Sequence, residues 1–439
     1  MNAAIYPRLA RVAALAAILM AMAAYAAAAD LPSADIPDDS VLRASLLDSW
    51  FRATPEETLR LRSELHELGG GGRVEVRTER GNGEFMVVLA RERDGRFPVW
   101  SQGSWILYRR LSDGMPTRIR IFLRSDPYSY VQLRPDGSGR TVLDAVAYGG
   151  FLIRSITVAQ KFERLLVLPI ERVFASAGTS FPRRYFDPNP ADYADLRKLR
   201  SSIREHLPTL RYADDGAFDE SGRPVFIETL LPQPESAGLN CSGFAKWVVD
   251  GLLRPLTGRR LGIEELKIRS GDRGSSFSEP YEETLDPFFG LDWTRNLAAA
   301  AAKAVRGPGG ASLSEIEVRK SAIVSLRVSG DPKTQRSYLP YLNDVGFEME
   351  GLRATLYTLA VDEPGRIYLA SINSDVGYKP RLRRHFHVAV LLPLFEEDGR
   401  FSITVFESAA ETNFDSFLAR YPQMHANLTR VQVEDRFDP

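Results

Sequence analysis

The feature that most constrains the fold is a change of period at Arg73. Before it, apolar residues recur at helical spacing. Residues 41–51 and 54–68 read as helices, and Thr54-Pro55-Glu56-Glu57 is a capping box with Pro at the first helical position. After it, Val74 and Val76 alternate with Arg73, Glu75 and Arg77. Short apolar runs follow at 85–90, 105–108, 119–123, 128–133 and 141–147. The turn formers Gly81-Asn82-Gly83, Asp94-Gly95 and Asp136-Gly137-Ser138-Gly139 separate several of them. Short strands with turn signals every ~8–12 residues predict an antiparallel sandwich, barrel or meander. We place this β-rich domain at 73–172, after a helical segment at 30–72 that opens with a polar leader, 30–39, expected to be flexible.

The ends and the composition narrow the setting. Arg8 and Arg11 precede an apolar run at 12–24, and Ala27-Ala28-Ala29 offers a small-residue cleavage site. Residues 1–29 thus read as a secretory signal peptide. No later run reaches the roughly 18 apolar residues of a membrane span, so no stable membrane insertion is expected after cleavage. The expected location is periplasmic or secreted. The 56 basic and 57 acidic residues leave a net charge of -1, which gives no electrostatic case for nucleic acid.

An exported chain with one cysteine has no intramolecular disulfide to make, and its thiol is exposed to oxidation. Most lone cysteines are packing. The surroundings of Cys241 point to chemistry instead. Asn240 is a good N-cap, and Phe244, Trp247, Val248 and Leu252 recur at helical spacing behind it. Cys241 is therefore predicted on the first turn of a half-buried helix, where the dipole favours thiolate. Ser242 and Gly243 are small and leave the sulfur approachable.

A thiolate needs a base. His385-Phe386-His387 opens an apolar run that reads as a buried strand, with a return strand at 401–408. A three-residue loop, Glu397-Asp398-Gly399, with Gly in the left-handed position, sets residue 396 against 400. His387 then opposes position 409, and Glu407 lies diagonally on the same side. A two- or four-residue loop would put Ser408 there instead. The expected set is Cys241 as nucleophile, His387 as base and Glu407 as its orienter, with Asn240 and Ser242 supporting the sulfur and oxyanion. His385, on the same face two residues earlier, is the rival base, and Ser408 the rival orienter. No cofactor and no metal are called for.

Asn240-Cys241-Ser242-Gly243-Phe244 resembles the Asp-Cys-Ser-Gly-hydrophobic motif of NlpC-type papain-like cysteine peptidases, and His387-Val388-Ala389-Val390 resembles their histidine strand. Ile403-Thr404-Val405-Phe406-Glu407 is closer to the related CHAP amidases, with a glutamate on the next strand. The resemblance covers two short motifs within 226–439. It implies an α+β chain whose papain-like hydrolase domain, 226–439 with an insertion at about 255–380, follows the β-rich domain and a linker with a helix at 173–225. It also implies metal-free cleavage of peptide or amide bonds in peptidoglycan peptides. Two departures stand out: Asn240 replaces the aspartate, and the insertion separates the motifs. The alternatives are a non-catalytic wall-binding or scaffold protein on the same fold, and a thiol acyltransferase or amidase with a non-wall substrate.

Overall fold

The computed structural model describes residues 30–69, 71–178, 181–234, 237–271, 286–307, 309–327, 335–337, 341–374 and 383–439. The predicted signal peptide lies outside them. The chain is α+β, with a β-rich N-terminal region. Eight strands, β1 (Glu64–Glu67), β2 (Arg73–Arg80), β3 (Glu84–Arg91), β4 (Trp105–Arg110), β5 (Pro116–Ile121), β6 (Ser129–Pro135), β7 (Thr141–Ala147) and β8 (Gly150–Val158), form an antiparallel meander. Several of its turns use left-handed backbone, as at Asp94-Gly95 and Tyr148-Gly149. Alternation fades after β2 because the middle strands are buried on both faces. Val87 and Leu89 join the main core, while Val88 and Ala90 join a second cluster with Ile106, Tyr108 and Tyr130.

Two expectations for the N-terminal part need correction. The helix predicted over 54–68 ends early. Its capping box is present, but the helix is Pro55–Arg60, and the polar stretch after it pairs with β2 as an edge strand (Glu64↔Val76). The leader is pinned: Asp30 accepts from Arg93 at 2.8 Å and from the Ser125 N–H at 2.8 Å. Buried Arg43 caps the carbonyl of Leu166 at 2.9 Å and stacks on Trp105.

The region read as a linker is also packed. Tyr185 and Phe186 are buried, and α1 (Ala194–His206) turns Leu196, Leu199 and Ile203 inward. Its basic residues are paired: Arg200 bonds Glu396 at 2.6 Å, and Arg204 bonds Glu411 at 2.7 Å. A small hairpin, β9 (Gly216–Phe218) and β10 (Pro224–Phe226), leads to α2 (Cys241–Thr257).

The predicted insertion is the largest correction. It supplies α3 (Leu291–Arg306), which packs on α2, and β11 (Ser325–Arg327) and β12 (Gln335–Ser337), which extend the first sheet by pairing Ser325 with Phe151. After β13 (Phe347–Glu348) and α4 (Leu352–Asp362), it supplies β14 (Arg366–Asn373). That strand sits inside the second sheet, whose order is β13-β18-β14-β15-β16-β17. The remaining members are β15 (His385–Phe395), β16 (Phe401–Glu407), β17 (Ala410–Thr412) and β18 (His425–Gln432), with α5 (Phe414–Arg420) between the last two. Pairing order and sequence order differ: β14, from within the predicted insertion, lies between β18 and the histidine strand β15.

The β15–β16 hairpin has the expected register. Phe395 pairs with Phe401 and Val390 with Phe406, Gly399 is left-handed, and the Glu396 N–H donates to the Arg400 carbonyl at 2.8 Å.

Candidate active site

The N-terminus of α2 is fixed from three sides. The Asn240 side-chain oxygen accepts from the Gly243 N–H at 2.7 Å, and its amide donates to the Asp214 carbonyl at 3.1 Å. An aspartate could make only the first bond, which gives the departure at this position a local reason. Gly243 lies against the backbone of β9: a Cβ there would sit 1.9 Å from the Gly216 carbonyl oxygen. The Ser242 hydroxyl donates to the Phe289 carbonyl at 2.5 Å, and the Trp293 indole N–H donates to the Ser242 carbonyl at 2.9 Å. Ser242 thus ties α2 to the start of α3, with its oxygen 3.7 Å from the Cys241 sulfur.

β15 meets this helix end where, among the described residues, no strand pairs with one of its edges. Its pairing with β16 stops at Val390↔Phe406, which leaves Val388 and His387 open on that side. The Val388 N–H and the His387 imidazole both face the half-buried Cys241 thiol. Burial pushes the thiol up, but the imidazole and the N–H outweigh it, and the net shift is downward. His387 is pushed up to about 9: burial disfavours its charge, and the Cys241 and Glu407 charges overcome that. His387 Nε2 is 2.7 Å from Glu407 Oε2, so Nδ1 is the ring nitrogen left for the sulfur. The two shifts are opposite in sign, the thiol down and the imidazole up, as each charge favours the other.

Glu407 is held in turn. Burial would raise its carboxyl, but His387, Thr412 and Arg420 bring it down to about 2. The Thr412 hydroxyl donates to Oε1 at 2.7 Å, and Arg420 of α5 donates to the same oxygen. Ser408 lies in the left-handed turn to β17 and makes no bond to the histidine.

His385 does not share the site, which corrects the expectation that it lies on the same face. The β14–β15 register shifts between Ile372 and Asn373, so His387 pairs with Ile372, His385 with Asn373, and Phe386 is the extra residue of a bulge. His385 is fully buried and its Nε2 donates to the Asp344 carbonyl at 2.8 Å. Burial pushes it down to about 3, so it stays neutral.

Sequence reasoning missed several neighbours. Tyr212 and Tyr421 both feel the Cys241 charge, and Arg420 is the second cation on Glu407. Arg420 follows the hairpin by one short helix, and nothing in its spacing singled it out. Among the described residues, no group of three or more His, Cys, Asp or Glu side chains is placed to hold a metal ion, and no helix is long and apolar enough to cross a membrane.

A family model described as "Domain of unknown function (DUF8515)" matches residues 32–185. The match spans the N-terminal helices and the meander, and includes none of Cys241, His387 and Glu407. No curated protein and no solved structure matches the chain.

Proposed function

We propose that the chain is an exported cysteine hydrolase that cleaves peptide or amide bonds, with peptidoglycan stem or cross-link peptides as the substrate class. The observation that carries this reading is the line of thiol, imidazole and carboxylate, in which the imidazole lowers the thiol and both acids raise the imidazole. Its second half is drawn by the 2.7 Å His387–Glu407 bond. A cysteine helix seated against an antiparallel sheet, with the histidine on one strand and the glutamate on the next, is the arrangement expected of a papain-like core. The substrate class rests on the motif resemblance.

In this reading Cys241 thiolate attacks the scissile carbonyl. The first-turn N–H groups have no intrahelical acceptors; that of Gly243 is taken by Asn240, and those of Cys241 and Ser242 remain for the oxyanion. His387 imidazolium then protonates the leaving amine and, as neutral imidazole, activates the water that hydrolyses the thioester. Glu407 keeps the ring oriented through both steps.

The test is turnover of purified muropeptides, read by product mass spectrometry. The wild-type protein should release cleaved peptides, and Cys241→Ala should not. Equal turnover by Cys241→Ala would overturn the proposal.

A further inference from the structure

The bulge that separates the two histidines turns Phe386 outward. Phe386 is 41% exposed, between buried His385 and half-buried His387. Bulges recur next to active sites because they re-aim one side chain without breaking the sheet. Phe386 does not stand alone there. Its ring centroid lies 5.9 Å from that of Tyr421, edge-on at 72°, and 6.4 Å from that of His387. Tyr421 lies 5.7 Å from His387 and packs edge-on against buried Phe417 at 5.3 Å, which anchors it to α5. The Tyr421 hydroxyl is raised by burial and by the charges of Glu407 and Cys241, so its ring borders both ends of the proposed catalytic line.

Position decides what this pair could contact. The group that hands a proton to the leaving amine must lie on the leaving-group side of the sulfur. Here that group is His387, and the two rings flank it. We propose that Phe386 and Tyr421 form the subsite for the amine half of the substrate: a two-ring wall that takes an apolar side chain or aliphatic stem carried by the leaving amine. This rests on the cysteine-hydrolase reading above. It adds a specificity that the reading does not contain.

Acyl-enzyme partitioning tests it, because an amine that attacks the thioester enters through the leaving-group site. Nitrogen attacks the acyl carbon, the C–S bond breaks, sulfur departs as thiolate, and His387 takes the ammonium proton. The full chain is acylated with p-nitrophenyl acetate and followed by the nitrophenolate burst. Its deacylation by glycinamide, leucinamide or phenylalaninamide is then compared. The wild-type protein should favour the two apolar amines over glycinamide by about tenfold, as partial burial of one side chain supplies. In Phe386→Ala that ratio should fall to near one, and Phe386→Leu should restore most of it. A burst with no preference for apolar amines, or a preference that survives in Phe386→Ala, overturns the subsite and leaves the thiol chemistry standing. The lack of any burst overturns the hydrolase reading and the subsite with it.

Discussion

His385 and His387 stand two residues apart on one strand, and their surroundings make them opposite kinds of residue. His385 is sealed in, bonded to a backbone carbonyl and pushed down to about 3. The cations near it, Arg383 and Arg295, add to the push. His387 sits at the open edge of the same strand between a thiol and a carboxylate, and is pushed up to about 9. Burial disfavours the charge of both, and more fully that of His385. What separates them is the sign of the charge that each ring meets, and the Phe386 bulge decides which ring meets which.

The largest effect should break the pair apart. His387→Ala should lower muropeptide turnover at least about 10³-fold, since nucleophile and base act as a unit. His385→Ala should instead lower stability by about 1–3 kcal/mol, the cost of an unmade buried hydrogen bond. A denaturant titration beside the rate assay separates the two outcomes.

Next is the carboxylate. Glu407→Gln should cost about 100-fold in rate, within the range of general acid–base effects. It should also move the alkaline limb of the pH–rate profile. His387 is held up by anionic neighbours, so the active ion pair is lost as pH rises through about 9. Removing one anion should bring that limb to lower pH. A limb that stays in place would show that Glu407 does not set the charge on His387.

The same pair leaves a mark on stability. The folded-state value of His387 lies above its usual 6.5, so its contribution is fully present below that value and is lost as pH rises through about 9. Glu407 is depressed from 4.5 to about 2, so its contribution is present above 4.5 and is lost as pH falls through about 2. Melting curves of the wild type and Glu407→Gln should converge at the acid end, where Glu407 becomes protonated.

The smallest effect concerns the cap. Asn240→Asp should keep the bond to Gly243 but set a carboxylate oxygen against the Asp214 carbonyl, at a cost of about 1 kcal/mol. A cap that becomes more stable as Asp would show that the bond to Asp214 is not what favours Asn.

Legibility in the sequence followed how local each determinant is. The Asn240 cap and the Gly399 turn act over three or four residues, so the helix start and the hairpin register were readable. The register alone placed Glu407 beside His387. The Phe386 bulge was not readable, because it depends on β14, a strand that the sequence assigns to an insertion. β1 was missed for a related reason: an exposed edge strand needs no apolar alternation, and Glu64–Glu67 shows none. Arg420 reaches Glu407 by tertiary packing of α5, which leaves no periodic trace.

The most direct test of the account is the pH dependence of Cys241 alkylation by iodoacetamide in the wild type, His387→Ala and His385→Ala. The account predicts an apparent pKa well below the free-thiol value of about 8.5 in the wild type and in His385→Ala, and a return to about that value or above in His387→Ala. A wild-type thiol that titrates like a free one, or one that is indifferent to loss of His387, would contradict it.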